Sequence, residues 1–259
     1  MGSAKVKKQI NKRDTIIKHD GDVMQLVFSS QPDAIQSAIN TKKPHQLEMK
    51  NLQYLMGILM FIPAPEKILL LGVGAGSLIH FFQHYLPKCK ITAVDYDQQL
   101  LEFSHQNMML PEASDNLSYV IQDARQFISE CTQHFDLIMV DIFDGSQSPD
   151  WTREKEFTLQ LKNCLSNEGG VAYNMLIHSE AEFKTFYQLL RHTFSQQTLC
   201  LETEEYENLL LYALKNTQQT RTMMQNLEHA QQAQLEYQLP FGEILSVIYD
   251  INPVDSGII

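Results

Sequence analysis

The chemistry in this sequence gathers at short stretches where an apolar run stops and glycine or aspartate takes over. The first is Leu69-Leu70-Leu71-Gly72-Val73-Gly74-Ala75-Gly76-Ser77. Glycines allow a tight turn and a close approach of ligand to backbone, and a helix starting there offers unpaired N–H groups. Gly72, Gly74 and Gly76 are therefore candidate cofactor contacts. The spacing is GxGxG, with Ser77 where a dinucleotide-binding turn places its last glycine. That favours an S-adenosyl nucleoside over a nicotinamide dinucleotide. A lone glycine turn can also be plain strand-to-helix punctuation.

Acidic residues follow at comparable points. Asp95 ends Thr92-Ala93-Val94-Asp95, where a carboxylate can accept hydrogen bonds from ribose hydroxyls. Asp97, two residues on, reads better as a helix N-cap. Asp123 follows a third apolar run; it could accept from an adenine amino group or cap the next helix. Asp141 and Asp144 stand just beyond a fourth, in Val140-Asp141-Ile142-Phe143-Asp144-Gly145. A carboxylate beside a reacting nitrogen can take the proton that an ammonium must lose before it attacks. Asp144 also suits a turn leading into Gly145-Ser146. Trp151 could present an aromatic face to a cationic substrate or simply pack, and Asn174 and His178 flank the end of a fifth strand. His80 and His84 are spaced i, i+4 but lack a third ligand, so a surface or capping role is expected and no metal site.

The elements that must position these residues alternate. Expected strands cover Lys67–Leu71, Ile91–Val94, Leu117–Ile121, Phe135–Val140, Val171–Met175, Gln197–Leu201 and Asn208–Ala213. Helices are expected at Ser77–Leu86, through Leu100 and Phe103, and at Ala124–Ser129, Glu154–Cys164 and Ala181–Thr193. This alternation specifies an α/β fold with a doubly wound, mostly parallel seven-stranded Rossmann-like sheet. The candidate residues then share its carboxyl edge, where such sheets bind ligands. Ahead of it, Thr15–His19 and Val23–Phe28 flank Asp20-Gly21-Asp22 as a hairpin, with Ser29-Ser30-Gln31-Pro32 as a break and a short extended stretch over Ala34–Ile39. Helical periodicity runs from Leu47 to Phe61. The expected organisation is a flexible arm (1–14), a small β appendage (15–45), a nucleoside-binding catalytic domain (46–215) and a Gln-rich helical tail (216–259).

Composition narrows the partners. The 259 residues carry a formal net charge of -11 and are 44% hydrophobic. The field repels phosphate backbones and anionic lipid, so neither nucleic acid nor membrane is expected, whereas a cationic substrate is attracted. The four cysteines form no CxxC pair, no apolar run suits a membrane span, and a cytoplasmic setting is expected.

The order of glycine turn, Asp95, Asp123-Ala124 and Asp141-x-x-Asp144 resembles the spermidine synthases (polyamine aminopropyltransferases) and their methyltransferase-fold relatives, over roughly Val23 to Leu214. The resemblance implies a class I methyltransferase-like fold. It implies a sulfonium co-substrate, decarboxylated or intact S-adenosylmethionine, held by Gln36, Gly72, Gly74, Gly76, Asp95, Asp123 and Ala124. Asp141 would be the base, Asp144 a ligand of the amine substrate, and Tyr54 the nearest match to the family's Tyr-His-Glu substrate motif, with Trp151 lining the same pocket. Tyr54 also reads as a core aromatic. The sequence departs from the family pattern at Ala75, where the donor's ammonium meets an acid, and at Ile142-Phe143 and Gly145 in the acidic loop. Three functions follow: aminopropyl transfer to a di- or polyamine, methyl transfer to an amine or protein lysine, and a nucleoside-binding module without turnover. A homodimer fits the class, though nothing in the sequence specifies an interface.

Overall fold

The computed structural model describes residues 7–8, 15–144, 147–203, 206–216, 221–253 and 257–259. The expected arm lies outside these residues, save Lys7–Lys8 (β1), whose backbone pairs antiparallel with Thr15–Asp20 (β2). Val23–Phe28 (β3) and Gln31–Asn40 (β4) complete a four-stranded antiparallel sheet. The break expected at Ser29–Pro32 is shorter: the strand resumes at Gln31 and runs through Pro32. Proline lacks the N–H needed inside a sheet, and β4 is an edge strand where that loss is tolerated.

The helix expected over Leu47–Phe61 is α-helical only at Lys50–Leu55 (α1) and tightens to a 3₁₀ turn over Met56–Met60. The cause is close packing. A side chain at Gly57 would overlap the Tyr212 hydroxyl, which donates to the Tyr54 carbonyl at the end of that turn.

The seven-stranded sheet follows. Its strands and helices in chain order are Lys67–Leu71 (β5), Ser77–Tyr85 (α2), Lys90–Asp95 (β6), Gln98–Asn107 (α3), Leu117–Ile121 (β7) and Ala124–Glu130 (α4). Then come Phe135–Val140 (β8), Lys155–Asn163 (α5), Leu165–Leu176 (β9), Glu180–Thr193 (α6), Thr198–Thr203 (β10) and Tyr206–Leu214 (β11). The order across the sheet is β10-β11-β9-β8-β5-β6-β7. Of the seven, β11 alone runs against the others. The chain winds outward from β5 through β6 to β7, returns to the other side of β5 as β8, and continues outward to β9. The reversal between β5 and β8 is the topological switch point, where the strand ends leave a crevice.

Alternation along the strands builds two cores. Ile68, Leu70, Leu137 and Met139 face one side, with α1, α2 and the C-terminal helices Met223–Tyr237 (α7) and Phe241–Ile251 (α8). Leu69, Leu71, Ile138 and Val140 face the other, with α5 and α6. Both faces are covered, so the central strands are continuous apolar runs, each buried Leu or Ile contributing about 1.5–3 kcal/mol. A third cluster joins Met24, Leu26 and Phe28 of the small sheet to Ala75, Leu100 and Phe103. It seats the small sheet over the glycine turn and α3. No helix among the described residues is long and apolar enough to cross a membrane.

The outer edge of β10 is closed by one side chain. Asn252, after α8, accepts from the Cys200 N–H at 2.9 Å and donates to the Cys200 carbonyl at 2.8 Å. The pair satisfies an edge that would otherwise be open and ties α8 to the sheet. Asn252→Ala is expected to lower unfolding stability by about 2 kcal/mol, read as a reduced urea midpoint at unchanged slope.

Candidate active site

At the switch point the Asp141 N–H donates to the Leu71 carbonyl at 2.9 Å, joining the ends of β5 and β8. Gly72 follows with φ +93°, and a Cβ there would overlap the Asp141 carbonyl oxygen. Glycine is thus required twice at this position, by the dihedral and by the approach of the strands. At Gly74, φ is +55° and a Cβ would meet nothing nearer than the Ser37 hydroxyl at 3.7 Å. The space above it is open to a ligand. Gly76 is a different case: a side chain there would run into Leu110, so its role is packing of the turn against the chain after α3. Ser77 opens α2 and donates to the Ala38 carbonyl at 3.0 Å, fastening the small sheet beside the turn.

One cavity of about 840 Å³ covers this edge. Gln36, Gly72, Gly74, Asp95, Asp123, Ala124, Asp141, Asp144 and Trp151 line it, as do Asp97, Asn174 and His178. Gly76 and Tyr54 do not. Tyr54 is buried, and its hydroxyl donates to Glu243 on α8. Tyr54 thus takes the core-aromatic reading in this structure, while Asn51 and Leu52 of the same helix line the cavity. The Gly145-Ser146 turn lies outside the described residues.

The acids divide by role. Asp95 accepts from the Val73 N–H at 2.9 Å and from the Asp97 N–H at 3.0 Å, locking the glycine turn to the end of β6. Burial raises its pKa against the pull of these amides. Each carboxylate oxygen keeps a lone pair beyond the bond it accepts, so ribose hydroxyls can still be received. Asp97 caps α3 through the Leu100 N–H. Asp123 caps α4, accepting from the Arg125 N–H at 2.8 Å. Partial burial works to raise the Asp123 pKa, but the Arg125 bonds outweigh it and hold the carboxyl below its ordinary range. Arg125 also lies over the Trp151 ring at 5.0 Å, so a cation of this chain already uses one aromatic face. The His84 ring stacks on His45 at 3.7 Å, away from the cavity.

Asp141 is the most perturbed acid of the cavity. Burial pushes its carboxyl up to about 6, partly offset by a bond from Asn174 at 2.8 Å. A carboxylate at that value is mostly ionised at neutral pH yet basic enough to accept a proton from an amine in a transition state. Among the described residues six aspartates line the cavity (Asp33, Asp95, Asp97, Asp123, Asp141 and Asp144) and no lysine or arginine does. Sequence reasoning missed Asp33 and Asn208. Asp33 lies three residues before Gln36 and was findable by that proximity, whereas Asn208 carries no local signal at all. Ala75 is fully buried against Met24, Leu26 and Phe103, outside the cavity lining.

The spermine/spermidine synthase domain matches residues 53–227 of the chain. The chain belongs to that family. The polyamine aminopropyltransferase of Neisseria meningitidis serogroup A is 27% identical over 92% of this chain and 89% of its own length. A probable spermidine synthase from Corynebacterium glutamicum superposes with TM-score 0.71 at 17% identity, covering 97% of this chain and 96% of that one. Human methyltransferase-like protein 13, solved in complex with SAH, superposes with TM-score 0.64 at 24% identity, covering 76% of this chain and 93% of that one. The spermine/spermidine synthase family thus accounts for the doubly wound sheet and its small antiparallel companion, and identifies the chain as a transferase.

The raised Asp141 pKa has a stability consequence. A carboxyl at about 6 when folded and 3.8 when free binds its proton more tightly in the native state. Its contribution is fully present below pH 4 and lost as pH rises through 6. Asp141→Asn is accordingly expected to be more stable than the parent at pH 7.5 by about 3 kcal/mol. The difference should vanish near pH 4 in urea titrations at the two pH values.

Proposed function

We propose that this protein transfers the aminopropyl group of decarboxylated S-adenosylmethionine to a di- or polyamine. The observation that carries the reading is the charge of the cavity: six aspartates and no lysine or arginine among the described residues. A decarboxylated donor brings a sulfonium and an ammonium, and a polyamine brings further ammonium groups. Intact S-adenosylmethionine would bring a carboxylate into a cavity that no lysine or arginine of the described residues lines, and the Val73 N–H of the turn is already given to Asp95. The relatives named as polyamine aminopropyltransferases support the same chemistry.

In this reading the adenosine lies across Gly72 and Gly74, with its ribose toward Asp95 and its base near Asp123 and Ala124. Gln36 closes over the donor from the small sheet. Asp144 holds the acceptor, Asp141 takes the proton of the attacking nitrogen, and Trp151 bounds the acceptor side. The sulfonium is an activated leaving group, so orientation of the amine supplies much of the remaining rate.

A second reading is methyl transfer from intact S-adenosylmethionine to an amine. One observation favours it: the turn position where relatives carry an acid is Ala75 here, buried beneath the small sheet. Product identification separates the two. Incubation with each donor and a panel of diamines and polyamines is expected to yield methylthioadenosine from the decarboxylated donor. S-adenosylhomocysteine from the intact donor would replace the first reading by the second. Asp141→Asn is expected to lower kcat by about 10²–10⁴-fold. The acid limb of kcat/KM in the parent should fall near pH 6, where Asp141 becomes protonated.

A further inference from the structure

Behind Asp141 stand two buried amides that the reaction as described does not use. Asn174 on β9 is 2% exposed and Asn208 on β11 is 8% exposed. Asn174 Nδ2 donates to Asp141 Oδ1 at 2.8 Å, and Asn208 Nδ2 donates to Asn174 Oδ1 at 2.7 Å. Their meeting depends on register. The antiparallel pairing sets Asn208 opposite Leu176 and Leu210 opposite Asn174, so the amides approach along the diagonal of the strand pair. An apolar pair would fill the same space without any polar group to compensate, whereas a buried amide costs several kcal/mol unless bonded.

The chain of donors has a direction. Because Asn208 gives its N–H to Asn174 Oδ1, Asn174 must turn Nδ2 toward the carboxylate, and an amide nitrogen can only donate. The reverse arrangement would set an amide oxygen against a carboxylate oxygen. Asp141 Oδ1 thereby accepts the Asn174 N–H, a bond that protonation of that same oxygen would weaken, so a proton arriving at the carboxyl is favoured at Oδ2.

We propose that Asn174 and Asn208 are positioning residues, a two-amide relay that fixes the Asp141 carboxylate and favours proton uptake at Oδ2. The proposal rests on Asp141 acting as the base in the reaction above. In that step an N–H bond of the acceptor breaks and its proton forms an O–H bond with Oδ2. The freed electron pair attacks the carbon next to sulfur, and the C–S bond breaks with its pair going to the sulfonium sulfur. The other ionisable groups lining the cavity among the described residues are Asp144 on the same loop, Asp95 at the end of β6, Tyr96 and Asp97 before α3, Asp123 before α4, Asp33 on β4 and His178 beyond β9. Substituting the two amides changes none of them.

The test is direct titration of Asp141 in the full chain without substrate, by NMR of ¹³C-labelled aspartate carboxyls, with Asp141→Asn used for assignment. Asn174→Ala is expected to move the Asp141 midpoint upward from about 6 by about one pH unit, the size of one charge-assisted hydrogen bond lost. Asn208→Ala keeps the first amide but unlocks its orientation, and a smaller upward move is expected. Both variants should shift the acid limb of the pH–rate profile in the same sense. If Asn174→Ala does not fold, Asn208→Ala decides. An unmoved Asp141 midpoint in every folded variant overturns the relay. Because the titration needs no substrate, a wrong assignment of donor or product would leave its outcome intact.

Discussion

Where β5 and β8 end, the chain reverses its direction of travel across the sheet, and the two strand ends come together with almost no space between them. The Leu71 carbonyl and the Asp141 N–H share a hydrogen bond, and only a residue without a Cβ fits beside the Asp141 carbonyl. That contact makes the site. It turns the backbone sharply into the glycine loop on one strand and delivers a carboxylate to the crevice on the other. The reading of donor and base alike depends on it.

Around this contact, polar groups tie the elements into a fixed geometry. Asp95 binds the glycine turn from β6, Asp97 and Asp123 cap the two following helices, and Ser77 fastens the small sheet through the Ala38 carbonyl. Each bonds a side chain at the carboxyl edge to backbone close by, so that edge is preorganised before any ligand arrives. The cost is electrostatic. Six carboxylates line one cavity, Asp123 paired with the arginine that sits beside it, and burial presses on two of them, Asp95 and Asp141. A ligand bearing several positive charges relieves that repulsion. The acidity that destabilises the empty cavity is therefore a source of affinity for a polycation.

Ala75 shows how one substitution is absorbed by packing. The residue sits among Met24, Leu26 and Phe103 and forms part of the seam between the small sheet and α3. A carboxylate in that seam would need a partner that the apolar neighbours do not offer. At Ala75 the turn is a structural joint, while Gly72 and Gly74 line the cavity.

The sequence by itself determined the sheet, the glycine turn and the line of aspartates at strand ends. Apolar runs such as Lys67–Leu71 and Phe135–Val140 are buried on both faces, so their limits are written in local composition, and the residue after each run must lie at the carboxyl edge. Local pattern also foresaw Asp97 as a cap, since a cap is a contact of three residues' span. It misread the helix at Leu47–Phe61, because its tightening comes from Tyr212, more than 150 residues away in sequence. Gly76 reads as a ligand contact by motif spacing and Tyr54 either as one by family resemblance or as a core aromatic, and only the packing of Leu110 and Glu243 shows which way they face. Asn208 was invisible for the same reason. Its place beside Asn174 is fixed by the register of an antiparallel strand inserted between β9 and β10, and register is set by the fit of whole buried faces, which no short stretch of sequence contains.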